Sequence, residues 1–86
     1  MVIWKFRIEP KNNEFYIPKD SIVLDVQVQH GKPTIWFLVD PDNAIELRRF
    51  YVYGTGWFIE NDPGVYIGTF QLNDGALVFH VFEDIT

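Results

Sequence analysis

Apolar and polar residues alternate along most of this chain, and a period of two is the pattern of β-strands. The clearest run is IVLDVQVQH at 22–30, where Leu24, Val26 and Val28 are expected on one face and polar residues on the other. A Gly-Lys-Pro turn then leads into TIWFLV at 34–39. Two alternating runs joined by a short turn predict a β-hairpin.

The same alternation predicts five further strands, at 2–8, 14–17, 45–53, 65–72 and 76–83. We expect the first two to form a hairpin across a turn containing Pro10. The last two are joined by Asn-Asp-Gly, which strongly favours a short hairpin. A single helical turn between Asp42 and Arg49 is an alternative to the start of the strand at 45–53. Residues 57–59 form either a short strand or an extended loop.

The closing hairpin is apolar on both of its faces, since Val65 and Ile67 alternate with Tyr66 and Phe70. Strands of this kind need a second layer, which in a short chain is another sheet or another subunit. We therefore expect one all-β domain over 1–86. Its architecture is a compact antiparallel sandwich or barrel of about 6–7 short strands with at most one short helical turn. We also expect a homo-oligomer.

The amino-acid composition indicates the cellular compartment in which the protein is expected. The 86 residues include no cysteine, so disulfides and thiolate metal sites are excluded. No apolar stretch approaches the roughly 20 residues of a membrane span, and the first residues do not resemble a signal peptide. We expect a cytoplasmic protein with no membrane partner.

The negative net charge limits the classes of molecule that the protein is expected to bind. The net charge is −5, and residues 44–86 carry only two Lys/Arg against six Asp/Glu. A nucleic acid as partner is unfavourable for such a chain, because phosphate binding needs cations. Plain solubility explains the charge, and so does a partner protein with a basic surface. The acidic residues offered to such a partner would be Glu60, Asp62, Asp74, Glu83 and Asp84.

The segment Gly54-Thr55-Gly56 invites comparison with phosphate-binding loops. A Walker loop needs a lysine after its glycines, and a dinucleotide fingerprint needs a third glycine and a helix; Trp57 follows here instead. The segment is then either a structural corner between strands or a loop that contacts a ligand. Its aromatic neighbours Tyr51, Tyr53 and Trp57 would suit a nucleobase.

Arg48, Arg49 and His80 complete the candidate ligand-binding residues. The strand at 45–53 would place the two arginines on opposite faces, one pairing with a carboxylate of the chain and the other pointing at a ligand phosphate or at a carboxylate of a partner. A plain surface role is the alternative for both. His80 is either a core or interface histidine or a ligand contact. If it contacts a ligand, its expected partners are strand residues such as Thr69, Gln71, Gln27 or Gln29.

Catalysis has little support in the sequence. Neither Ser21 nor any threonine has a recognisable base beside it. Most aspartates lie in turns next to Pro, Gly or Asn, where their turn-forming role explains them. Two separated histidines make no metal signature. We expect no enzyme activity, no metal and no cofactor.

Four blocks carry a family resemblance: IWKF, VLDVQVQHGKPTIWFLVDP, FYVYGTG and VYIGTFQLNDGALVFHVFE. Together, over about residues 3–83, they resemble a family of short uncharacterised proteins carried by bacteriophages and prophages. The resemblance implies a phage-encoded accessory protein in the host cytoplasm, and it supplies no catalytic residues.

Two functions are compatible with this resemblance. The first is a binding module that sequesters a nucleotide-type immune signal, a counter-defence role drawn by analogy with phage biology. The second is an acidic protein that binds and modulates a host enzyme. A minor structural or assembly protein of the phage is a further alternative.

Overall fold

A computed structural model describes all 86 residues and shows seven strands. The strands are β1 (Val2–Arg7), β2 (Asn12–Pro18), β3 (Ile22–Gln29), β4 (Lys32–Val39), β5 (Ile45–Gly54), β6 (Val65–Leu72) and β7 (Leu77–Asp84). The only helical element is a single 3₁₀ turn at Asn73–Gly75. The predicted all-β fold is confirmed. No helix of the structure has the length and apolar character needed to cross a membrane.

The strands form two antiparallel sheets, with the order β1-β4-β3 in one and β2-β5-β7-β6 in the other. The architecture is therefore a sandwich. The two hairpins β3–β4 and β6–β7 are confirmed, with Gln29 opposite Lys32 in the first and Leu72 opposite Leu77 in the second.

The predicted hairpin between the first two strands is wrong. β1 pairs with β4, and β2 pairs with β5 in the other sheet. Asn13 explains the change of sheet, because its side chain closes the corner between the two strands. Its Oδ1 accepts from the Glu9 amide at 2.9 Å, and its Nδ2 donates to the carbonyls of Glu9 and Lys11, each at 3.0 Å.

The alternative of a helical turn between Asp42 and Arg49 is also wrong. The chain turns tightly after β4, where the Asp40 carboxylate accepts from the Asp42 amide at 3.1 Å. β5 then begins at Ile45, because the alternation of its apolar residues fits a strand facing the core. Residues 57–59 belong to no strand and form part of a loop.

Strand β3 departs from simple alternation. A bulge between Val23 and Asp25 shifts its register against β4. Val23 and Val26 consequently both pack on the core, whereas Leu24 remains 47% exposed. The expectation that Leu24 shares a buried face with Val26 and Val28 is wrong for this reason, and Val28 lies at the rim.

The core lies between the inner faces of the sheets. Its largest side chains are Phe37 from β4 and Phe50 from β5, both completely buried. Phe6 and Phe15 stack with ring centroids 4.8 Å apart and so join β1 to β2 across the sandwich. The inner face of β5 continues beyond Phe50 to Arg48, which places a charged side chain beside the core.

Candidate binding site on the four-stranded sheet

Strand β5 distributes the candidate residues over two faces. Phe50 and Val52 point into the core, so Arg49, Tyr51 and Tyr53 point outward by alternation. Arg48 shares the inner face. The predicted separation of the two arginines is confirmed.

Arg48 is engaged inside the sandwich. Its Nε donates to Glu83 Oε2 at 2.6 Å and its Nη2 donates to Oε1 at 2.9 Å, while Nη1 donates to the Ser21 carbonyl. The side chains of the pair are only 16% and 14% exposed. The hydrogen bonds to Glu83 raise the pKa of Arg48. This arginine holds the fold together and is not free for a ligand.

Arg49 lies on the outer face and is also paired. Its Nε donates to Glu14 Oε2 at 2.7 Å, and this interaction raises its pKa. About half of each side chain is exposed, so water competes with the pair. Both arginines therefore pair with carboxylates of the chain, whereas the sequence predicted such a pair for only one of them.

The Gly54-Thr55-Gly56 corner uses its backbone amides to close itself. The Thr55 amide donates to the Val78 carbonyl and the Trp57 amide donates to the Gly54 carbonyl, both at 3.0 Å. Gly56 has a φ of +87°, a conformation that favours glycine. Because anion cradles need free, convergent amides, this geometry favours a structural corner.

Trp57 packs directly on this corner. Its indole lies against Gly54, where an added Cβ would come within 2.6 Å of the ring, and it meets Phe79 edge-on at 5.9 Å between centroids. A neighbouring cavity of about 310 Å³ is lined by Gly54, Thr55 and Trp57. These three predicted residues are thus brought together at one end of the sheet.

His80 lies in a row of hydroxyl groups on the outer face. Thr55 Oγ1 is 2.7 Å from its Nε2, Thr69 Oγ1 is 3.0 Å from its Nδ1, and Tyr66 OH is 2.5 Å from Thr69 Oγ1. The expected contact with Thr69 is therefore present. No carboxylate is hydrogen-bonded to this histidine, so the row lacks the third member of a catalytic triad.

Residues 55–64 connect β5 to β6 and must pass the intervening strand β7, because both strands are antiparallel to it. Residues 58–63 of this connection and the outer face of β5 line an open cavity of about 520 Å³, here called the loop cavity. Its main lining residues are Tyr51, Tyr53, Phe58, Glu60, Asp62 and Asp84.

The loop cavity is acidic and aromatic. Three carboxylates line it and no Lys or Arg does. The pKa of Asp84 is lowered mainly by hydrogen bonds from the hydroxyl and amide of Thr86, and further by the Tyr51 hydroxyl and the positive charge of Arg49. An ionised carboxylate beside tyrosine rings attracts a cation and repels a phosphate.

The structure thus divides the predicted site. Tyr51 and Tyr53 lie in the loop cavity, whereas Arg48 lies inside the sandwich. Phe58 was missed by sequence reasoning. The available indication was an apolar pair, Phe58-Ile59, among turn-forming and acidic residues with no strand to join.

A family model described as a domain of unknown function (DUF7352) matches residues 1–86. The chain belongs to this family. No curated protein and no solved structure matches it. Within this DUF7352 domain, no group of three or more His, Asp or Glu side chains is arranged to hold a metal ion.

Proposed function

We propose that this protein is a non-enzymatic protein-binding module that uses the loop cavity and the adjoining Phe58. The observation that carries the proposal is the exposure of Phe58, which is 88% accessible at the rim of the cavity. A large aromatic side chain held in water beside a cavity is typical of an interface anchor.

The partner offers a basic side chain. Glu60, Asp62 and Asp84 supply negative charge, and Tyr51 and Tyr53 supply ring faces. Lysine and arginine side chains match both features through ion pairing and cation–π contact. Of the acidic residues expected to face a partner, Glu83 is occupied by Arg48, and Asp74 lies apart in the β6–β7 turn.

The resemblance to phage proteins supports a host protein as the partner. A phage-encoded module of this kind would act in the host cytoplasm by covering a basic surface of an enzyme and modulating it. Sequestration of a nucleotide signal, the other function expected from the sequence, gains no support from the loop cavity, because its three carboxylates would repel a phosphate group.

The test is affinity capture from host lysate with wild type, Phe58→Ser and the control Leu24→Ser. Leu24 is an exposed apolar residue on the other sheet, so the control removes apolar surface at a site away from the loop cavity. The purified partner should bind Phe58→Ser with an affinity reduced by about 2 kcal/mol or more, the cost of losing an interface anchor. Leu24→Ser should bind like wild type.

The electrostatic half of the proposal has its own measurement. Raising the salt concentration from about 50 to 500 mM should weaken the complex, since exposed charges are then screened. Glu60→Gln with Asp62→Asn should reproduce that loss at low salt. Equal affinity of the partner for wild type and Phe58→Ser would exclude the loop cavity and Phe58 as the interface. Affinity that does not change with salt concentration would also exclude it.

A further inference from the structure

Another cavity lies on the opposite side of the sandwich from the loop cavity, on the outer face of β1-β4-β3 near the β3–β4 turn. It has a volume of about 260 Å³ and no hydrophobic lining residue. Its lining residues, here called the basic cluster, are Lys5, Arg7, Gln29, His30, Lys32 and Thr34. No carboxylate is among them.

The cluster concentrates positive charge in an acidic protein. The chain has seven Lys/Arg and a net charge of −5. Arg48 and Arg49 form the two ion pairs of the structure. Lys5, Arg7 and Lys32 are three of the five that remain without a carboxylate partner.

Strand geometry holds these side chains on one face. Arg7 lies opposite Thr34, and Lys32 lies opposite Gln29 in the adjacent pairing. Lys5 Nζ donates to Gln29 Oε1 at 2.7 Å, so this lysine reaches a neutral acceptor across the sheet. The positive charge of the ammonium group is left uncompensated.

The turn contributes to the same arrangement. His30 and Gly31 have φ angles of 51° and 75°, as in the tight two-residue turns that join antiparallel strands. This turn brings Lys32 onto β4 directly beside the end of β3.

One carboxylate on this face, that of Asp25, is engaged by groups of its own strand. Asp25 lies on β3, opposite Trp36, with the β4 strand between it and Lys5. Its oxygens accept from the Val26 amide at 2.8 Å and from Gln27 Nε2 at 2.6 Å. It lines no part of the cavity.

We propose that the basic cluster binds a small phosphate-type polyanion. Lys5 and Arg7 from β1 and Lys32 from β4 supply charged donors to the cavity, a set that suits the oxygens of phosphate groups. A water molecule occupies about 30 Å³ of liquid, so the cavity has room for more than one phosphate group. The basic cluster shares no residue with the loop cavity. Anion binding at the cluster can therefore be tested independently of protein binding at the loop cavity.

The test is calorimetric titration of the intact protein with inorganic tripolyphosphate and with ATP. Lys5→Gln and Arg7→Gln should each weaken binding about tenfold, the loss expected for one charge-assisted hydrogen bond. Lys19→Gln, which removes the same charge from an exposed turn, should leave affinity within about twofold of wild type. Thermal unfolding of each variant verifies that it is folded.

Equal binding of tripolyphosphate and ATP supports the proposal with a free polyphosphate as the source, and tighter binding of ATP supports it with a nucleotide. Three results overturn it: no saturable binding of either probe, equal weakening by Lys19→Gln, or binding of a short oligonucleotide without binding of tripolyphosphate.

Discussion

Arg48 and Glu83, 35 positions apart in sequence, form a two-point ion pair at the margin of the core. The guanidinium also lies 5.7 Å from the Phe37 ring centroid and 5.8 Å from that of Phe50. The pair therefore ties β5 to β7 at the place where the aromatic core ends.

We predict that Arg48→Gln costs about 3 kcal/mol of the free energy of unfolding, because it leaves a poorly hydrated Glu83 without its partner. The matched control is Arg49→Gln, whose pair with Glu14 is about half exposed to water, so its loss should be clearly smaller. Urea denaturation of both variants measures the difference. Equal losses would contradict the assignment of Arg48 to the fold.

A pair of glycines offers a second comparison. Gly56 and Gly64 both have positive φ, at 87° and 103°. A Cβ at position 56 would meet open space, whereas at position 64 it would collide with the backbone carbonyl of Glu83. Gly56→Ala should cost about 1–2 kcal/mol from backbone strain alone. Gly64→Ala should cost clearly more in the same denaturation assay, and a smaller effect at 64 would be inconsistent with this close approach.

Acid should reveal the role of Asp84. The pKa of this carboxyl is lower than its ordinary value of 3.8 because Thr86, Tyr51 and Arg49 favour the ionised form. The stabilisation it contributes is complete above that ordinary value, which the unfolded chain has, and is lost as pH falls through the lower folded value. The urea midpoint of wild type should thus fall more steeply below about pH 4 than that of Asp84→Asn. Parallel pH curves for the two proteins would exclude the effect.

Self-association is the remaining prediction. On the outer face of the three-stranded sheet, Ile3 and Ile22 flank Leu38 and are 60% and 55% exposed. An apolar row of this kind favours pairing with a second copy. Light scattering after size exclusion should give the mass of a dimer or larger oligomer for wild type and of a monomer for Ile3→Lys with Ile22→Lys. A monomeric wild type would rule the expectation out.

Local pattern was sufficient for the strands and for the two hairpins, because neighbouring segments carried both the alternation and the turn. It failed where a distant partner decides the structure. β1 and β2 look like a hairpin in sequence, but Asn13 sends the second strand to the other sheet. The alternation of residues predicts that Leu24 faces the core, but the bulge between Val23 and Asp25 leaves it exposed.

The candidate site was likewise predicted only in part. Alternation correctly separated Arg48 from Arg49, yet nothing near Arg48 in sequence identifies Glu83 as its partner. The aromatic residues of β5 were recognised from their position beside the glycine corner. The position of Phe58 beside Tyr51 and Tyr53 depends on how the loop folds, so it could not be predicted from the sequence.

The change of sheet between β1 and β2 also governs how the chain can fold. Three of the five strand pairings join strands that are not consecutive in sequence, namely β1–β4, β2–β5 and β5–β7. In each pair the first strand cannot form its hydrogen bonds until the second strand is in place. Such non-local closure slows folding into the range of milliseconds to seconds typical of β-sandwiches. It also means that a chain cut between β4 and β5 would leave β2 without its partner strand. The two sheets are therefore expected to form in a single cooperative event.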